Sequence, residues 1–168
     1  EKVNTSPYPR WTDRLPDPYP NRVLKIGLVS PDFCRHAVSY FVEPLLEQWD
    51  RKKVQVTLYS CGNQHDDYTA RLQGKTDQWR DLRGQPDESC IAQIQRDEID
   101  ILIDLAGHTS GNRLAVFAAK PAPIQATYLG YYGTTGLEQV DYWVTDKTLH
   151  PPEFDQDDPC SEERWRLD

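Results

Sequence analysis

An acidic residue and a histidine follow the first apolar run of the sequence. The run Ile26–Val29 ends at Ser30-Pro31, and Asp32 and His36 come next. An imidazole that titrates near neutral pH can accept a proton from a hydroxyl, and a carboxylate beside it can orient the ring or take that role itself. The other interpretation is structural, with Asp32 capping the next helix and His36 bound to a backbone carbonyl. The residues alone favour the structural interpretation.

A second polar segment, Gly107–Gly111, lies where a strand passes into a helix, and it contains His108 and Thr109. Backbone N–H groups at a helix N-terminus attract anions, and glycine allows close approach by a ligand such as a phosphate or a sugar hydroxyl. An ordinary N-cap, with Thr109 or Ser110 opening a helix that runs to Ala119, explains the same residues. The two interpretations weigh equally.

A third segment, Gly130–Gly136, is a glycine-rich loop that matches neither the dinucleotide fingerprint nor the P-loop. Tyr131 and Tyr132 either stack on a sugar or pack against the protein. The substrate-binding candidates of the second and third segments are His108, Thr109, Gly130, Tyr131, Gly133, Thr134, Thr135 and Gly136. Elsewhere, we expect Asp104 to pair with a neighbour such as Arg113, and His150 to lie in a surface loop.

The apolar pattern predicts strands alternating with helices about four times, followed by a final strand. The strands are expected over 23–30, 54–60, 78–82, 99–105, 124–129 and 141–145, with a helix of period 3.6 over 38–49. This alternation favours an α/β fold with a doubly wound, mostly parallel, Rossmann-like sheet, in which the three polar loops meet at one edge. The domain is expected over 23–146, between a proline-rich arm or linker (1–22) and a mostly irregular acidic segment (147–168).

The composition argues against several classes of function. The net charge is −8, with 19 Lys and Arg against 27 Asp and Glu, and the basic residues form no cluster of the kind that nucleic acids or anionic membranes require. The four cysteines include no C-x-x-C pair, which predicts free thiols, no metal site and a cytoplasmic protein. Because the sequence has no methionine, even at position 1, we expect a piece of a longer protein.

Four stretches in this order and spacing resemble the O-linked N-acetylglucosamine transferase family, to which SPINDLY-type fucosyltransferases are related. They are IGLVSPDFCRH at 26–36, IDILIDLAGHTSGNR at 99–113, KPAPIQATYLGYYGTTG at 120–136 and DYWVTD at 141–146. The resemblance covers residues 23–168. It implies the N-terminal half of a GT-B glycosyltransferase, which moves a sugar from a nucleotide-diphosphate donor to Ser or Thr hydroxyls of proteins without a metal or other cofactor.

The resemblance also assigns residues. Asp32 and His36 match the family's S-D-F-x-x-H motif, which faces the donor sugar, so both become catalytic candidates, as a base or as groups that position the sugar. The loop at 130–136 matches a loop near donor and acceptor, with Tyr132 in place of the usual proline. His108 matches a position that is His in bacterial-type and Tyr in animal-type sequences.

The resemblance implies partners in the same parent chain: a C-terminal half that grips the nucleotide, and N-terminal TPR repeats that recruit acceptor proteins. We therefore expect GlcNAc transfer from UDP-GlcNAc in the parent and little or no turnover by this piece alone. Two rival hypotheses are a non-catalytic binding or scaffold module of a TPR-repeat protein, and half of another nucleotide-sugar enzyme.

Overall fold

A seven-stranded parallel sheet forms the centre of the molecule in the computed structural model, which describes residues 22–156 and 159–168. The strands lie in the order β3-β2-β1-β4-β5-β6-β7, and each neighbouring pair is parallel. Their bounds are Leu24–Ser30 (β1), Val54–Ser60 (β2), Gln78–Asp81 (β3), Ile101–Asp104 (β4), Ile124–Thr127 (β5), Tyr142–Asp146 (β6) and Glu163–Leu167 (β7). The predicted doubly wound Rossmann-like fold is confirmed.

Two of the helices begin at a residue whose side chain caps the first turn. Their bounds are Ala37–Gln48 (α1), Asp67–Lys75 (α2), Asp87–Asp97 (α3) and Leu114–Ala118 (α4), and a 3₁₀ turn covers Pro152–Phe154. A capping box starts α2, in which Asp66 accepts from the Thr69 N–H over 3.1 Å and Thr69 Oγ1 bonds back to the Asp66 N–H. Two acidic residues in its first turn favour α3 through the helix dipole.

Two apolar layers cover the two faces of the sheet. One contains Leu28 of β1 with Val42 and Leu46 of α1 and Leu72 of α2, and the other contains the next strand residue, Val29, with side chains of α3 and α4. Successive strand residues point to opposite faces, so one continuous apolar strand contributes to both layers. Burial of this kind is what makes near-continuous apolar runs typical of parallel sheets.

One expectation about the elements is wrong, and two others concern the ends of the chain. The segment 147–168, expected to be mostly irregular, includes one short strand, β7, whose ERWRL sequence alternates between exposed and partly buried residues at the sheet edge. The helix expected from Thr109 or Ser110 to Ala119 begins only at Leu114. The arm 1–22 lies outside the described residues except for Arg22, which forms an ion pair with Asp100 at 2.6 Å.

The sheet order places the topological switch point between β1 and β4. The crossover from β1 leads outward to β2 and β3, whereas the chain later returns to β4 on the other side of β1. In open α/β sheets, ligands bind outside the carboxyl ends of the strands at such a point. The loops that follow β1, β4 and β5 are therefore neighbours at this edge.

Candidate functional site

Asp32 and His36 lie in the loop between β1 and α1. The Asp32 N–H donates to Ser30 Oγ over 3.0 Å, and Ser39 Oγ donates to the Asp32 carbonyl over 2.8 Å. His36 is the N-cap of α1, so the expectation that Asp32 caps this helix is wrong. The side chain of His36 stays 48% exposed although its backbone is fixed.

The imidazole of His36 accepts a hydrogen bond at Nδ1, from the Val38 N–H over 3.3 Å. Asp32 Oδ2 lies 3.8 Å from the same nitrogen, beyond a hydrogen bond but close enough to attract an imidazolium. A neutral imidazole has one N–H, so Nε2 holds the proton while Nδ1 accepts. In this geometry His36 is a hydrogen-bond donor at Nε2, and it can accept a proton only after the cap bond breaks.

Asp104 is the buried carboxylate at the end of β4. It accepts from the Gly107 N–H over 2.7 Å, the Ala106 N–H over 3.2 Å and Thr127 Oγ1 over 3.1 Å. Burial nevertheless raises the pKa of Asp104 above its ordinary value. The expected pairing with Arg113 is wrong. Asp104 instead shapes the start of the loop at 106–111.

Arg113 and Thr109 also differ from expectation. Arg113 Nη1 donates to Asp87 over 2.7 Å and Nη2 to the Leu82 carbonyl over 3.0 Å, away from Asp104. Thr109 Oγ1 donates to the Ala106 carbonyl over 2.8 Å, so it closes a turn and caps no helix. The five-residue α4 starts several residues later, which removes the helix N-terminus from the anion-binding interpretation of this loop.

His108 connects the loop after β4 to the glycine-rich loop. Its Nε2 lies 3.1 Å from the Thr135 carbonyl oxygen, and its ring meets Tyr131 edge-on with centroids 5.3 Å apart. The two loops touch closely, since a Cβ on Gly107 would lie 2.3 Å from Tyr131 Cβ and one on Gly130 would lie 1.8 Å from the Leu105 carbonyl oxygen. The glycines at 107 and 130 are required by this approach of one backbone to the other.

Tyr132 takes part in packing on the far side of the glycine-rich loop. Its ring stacks on His150 at 4.8 Å and 15°, and its hydroxyl donates to the Leu149 carbonyl over 3.0 Å. His150 is buried, with Nδ1 2.6 Å from Thr145 Oγ1, so its expected place in a surface loop is wrong. Tyr132 thus fixes this end of the loop.

Glu162, which the sequence analysis did not single out, anchors the same loop from the segment before β7. This carboxylate is 5% exposed and accepts from Thr134 Oγ1 over 2.6 Å, the Thr135 N–H over 2.7 Å, Ser161 Oγ over 3.1 Å and also Thr135 Oγ1. Burial alone would raise its pKa, but the hydrogen bonds from the two threonines lower it below the ordinary value. Glu162 is therefore an ionised clamp on residues 134–135.

The three loops share one edge of the sheet. A Cβ on Gly111 would lie 3.1 Å from Pro31 Cβ, which joins the loop after β1 to the loop after β4, and His108 joins the latter to the loop after β5. Across residues 22–156 and 159–168, no group of three or more His, Cys, Asp or Glu is arranged to hold a metal ion. Within the same ranges, no helix has both the length and the apolar character to cross a bilayer. The ligand-binding roles assigned to the loop residues stay predictions.

This architecture defines a class: a Rossmann-like domain with polar loops gathered at the switch point of a parallel sheet. A family model, Glycosyl transferase family 41, matches residues 2–162, and the chain belongs to this family.

Named relatives agree with that membership. The chain is 41% identical over 153 residues to the probable UDP-N-acetylglucosamine–peptide N-acetylglucosaminyltransferase SPINDLY of Arabidopsis thaliana, covering 89% of this chain and 16% of that protein. It is 36% identical over 130 residues to the UDP-N-acetylglucosamine–peptide N-acetylglucosaminyltransferase of Caenorhabditis elegans, covering 76% of this chain and 11% of that protein. The chain thus spans a small part of the length of the curated relatives that it matches.

A solved structure matches the fold as well. A mutant of Thermobaculum terrenum O-GlcNAc transferase superposes with a TM-score of 0.85 at 41% sequence identity, covering 90% of this chain and 29% of that one. The resemblance that the motifs indicate is confirmed.

Proposed function

We propose that this chain is the N-terminal catalytic half of a protein O-glycosyltransferase that transfers GlcNAc from UDP-GlcNAc to Ser or Thr hydroxyls of proteins. The observation that supports it most is the match to relatives named as UDP-N-acetylglucosamine–peptide N-acetylglucosaminyltransferases over 89% of the chain. The polar loops at the switch point supply a site of the right kind, because sugar hydroxyls are bound by a mixture of backbone groups, imidazoles and hydroxyls.

The parent protein supplies the remaining parts in this proposal. This chain covers 16% of the SPINDLY relative, which leaves room for a C-terminal nucleotide-binding half and for N-terminal TPR repeats that present acceptor proteins. Without the second half the donor nucleotide lacks most of its contacts, and the proximity that accelerates transfer is lost. The isolated chain is then inactive or nearly so, and it needs no cofactor beyond its donor substrate.

Within the site, Asp32 and His36 act on the donor sugar in this proposal. The Nε2–H of His36 donates to a sugar oxygen, and Asp32 stabilises the imidazolium form of that ring. The loop over Gly130–Gly136, with Tyr131, Gly133, Thr134 and Thr135, borders the space shared by donor and acceptor. The peptide groups of Gly133 and Gly136 are the contact points there.

The test is a transfer assay on the full-length protein, with radiolabelled UDP-GlcNAc in one arm, a GDP-linked sugar in a second and a Ser/Thr peptide as acceptor. Label in the peptide from UDP-GlcNAc supports the proposal. Label in the peptide from the GDP-linked sugar alone supports a protein O-glycosyltransferase with a different donor. Donor hydrolysis or epimerisation without peptide labelling indicates another nucleotide-sugar enzyme, and no reaction with either donor indicates the binding or scaffold module.

A further inference from the structure

The two histidines of the site offer opposite hydrogen-bonding groups. His108 Nε2 lies 3.1 Å from the Thr135 carbonyl oxygen, and because a carbonyl only accepts, Nε2 must hold the proton. In the neutral ring the lone pair is then on Nδ1. No hydrogen bond to Nδ1 is made by any residue in the described part of the chain. His108 thus has an open acceptor, whereas the Nδ1 lone pair of His36 is occupied by the Val38 N–H.

A chain of contacts holds His108 in this tautomer. Residue Thr135 is fixed because its N–H donates to Glu162 over 2.7 Å, and its Oγ1 donates to the same carboxylate while accepting from the Leu137 N–H over 3.2 Å. The peptide that carries its carbonyl is held by the Gly136 N–H, which donates to Thr134 Oγ1 over 3.0 Å. Tyr131 closes one side of the imidazole in an edge-on contact. An imidazole whose orientation is set by a fixed carbonyl, itself set by a buried carboxylate, is a preorganised acceptor.

The following inference rests on the proposed function. We propose that His108, and not His36, is the histidine that accepts a hydrogen bond from a substrate hydroxyl through Nδ1. Thr135 and Glu162 are its positioning residues. The two histidines then have complementary hydrogen-bonding roles, because His36 donates at Nε2 and His108 accepts at Nδ1. The ligand that this pair recognises is a hydroxyl-bearing group, on the sugar or on the acceptor side chain.

The test compares His108→Gln and His108→Asn in the full-length protein. The Gln amide nitrogen reaches the position of Nε2 and keeps the bond to the Thr135 carbonyl, but it leaves no acceptor at the position of Nδ1. The shorter Asn places an amide oxygen near Nδ1 and loses the bond to Thr135. We expect His108→Gln to lower kcat by about 100-fold, with the KM for the donor within about threefold of wild type. We expect His108→Asn to retain more kcat than His108→Gln.

Melting of the variant proteins separates this role from a structural one. His108→Gln keeps the contact to Thr135 and loses only the edge-on contact with Tyr131, so its melting temperature should lie within about 2 °C of wild type. A His108→Gln variant with near-wild-type kcat overturns the assignment, as does one whose loss follows from a lowered melting temperature. If the wild-type protein transfers no sugar at all, the proposed function itself fails and this assignment fails with it.

Nitrogen-15 spectra of the imidazoles in the 168-residue chain test the tautomer independently of activity. In its neutral form, His108 should show Nε2 protonated and Nδ1 without a proton. The opposite tautomer would refute the assignment even in an active enzyme.

Discussion

Glu162→Ala is the substitution whose effect the structure predicts most directly. It leaves the buried Thr135 N–H without a partner and removes the charged acceptor of three hydroxyls. An orphaned buried donor costs about 1–3 kcal/mol, and the hydroxyls of Thr134 and Ser161 can turn to water. We therefore expect a loss of about 3 kcal/mol in the free energy of unfolding. For a domain of this size that corresponds to a melting temperature lower by about 6–12 °C.

The next residue provides a matched control. Glu163 is also a glutamate, but it is exposed on the edge strand β7, so Glu163→Ala should change the free energy of unfolding by less than about 0.5 kcal/mol. Urea denaturation of the 168-residue chain measures both. Equal effects of the two substitutions would show that the clamp on Thr134 and Thr135 contributes nothing to stability.

Hydrogen exchange shows whether the loss is local. In a Glu162→Gln variant the side-chain amide has one acceptor oxygen instead of two, and its NH2 group faces the N–H and O–H donors that the carboxylate bound. The backbone amides of residues 133–137 should therefore exchange faster, relative to wild type, than those of β1. Uniform acceleration across the chain would indicate a general loss of stability and would contradict a specific anchor.

The same carboxylate gives a pH dependence. Because the folded state lowers the pKa of Glu162, its ionised form stabilises the fold at pH values above the unfolded pKa of about 4.3. That contribution is lost as the pH falls from there through the folded pKa. The stability difference between wild type and Glu162→Gln should therefore be full at pH 7 and shrink below about pH 4.3, and a difference that stays constant from pH 7 to pH 3 would contradict an ionised Glu162.

Two further predictions concern the loops. His36→Ala should remove the cap on the Val38 N–H and lower the free energy of unfolding by about 0.5–2 kcal/mol in urea titrations, whereas His36→Asn should keep the cap. In the full-length enzyme we expect His36→Ala to cut transfer by orders of magnitude. Near-normal transfer by that variant would remove His36 from the mechanism. Gly130→Ala should destabilise the chain by several kcal/mol because the new Cβ would lie 1.8 Å from the Leu105 carbonyl oxygen. Gly74→Ala in helix α2 is the control: no atom lies within 4 Å of its new Cβ, so it should stabilise the chain by about 0.5–1 kcal/mol. Equal effects of the two substitutions in calorimetry would refute the steric argument.

Most of the fold could be predicted from the sequence because, in most segments, the spacing of apolar residues and the residue composition indicate the same helix or strand. The strands β1 and β4 contain apolar runs that both faces of the sheet bury, β2 alternates apolar with polar residues, and α1 has an apolar stripe at helical spacing. The strand β7 has neither signal. Its five residues include three charges and one exposed tryptophan, because it lies at the edge, where only one side of the backbone is paired.

The candidate site was predicted as a set of loops, and the contacts inside it were not. Motif order and strand periodicity place the loops of His36, His108 and Thr135 at one edge. The clamp by Glu162 joins residues 27 positions apart, and nothing local distinguishes this glutamate from its exposed neighbour Glu163. The error at His150 has the same origin, because burial against Tyr132 and Trp143 is a tertiary effect.

The order of the strands has a consequence for biosynthesis. Of the strands in this sheet, β1 leaves the ribosome first, but its neighbour β4 begins at Ile101, about seventy residues later. At translation rates of about 5–20 residues per second, the edge of β1 that pairs with β4 stays unpaired for roughly 4–14 seconds. Nascent chains of this protein should therefore engage chaperones until Ile101–Asp104 has left the exit tunnel.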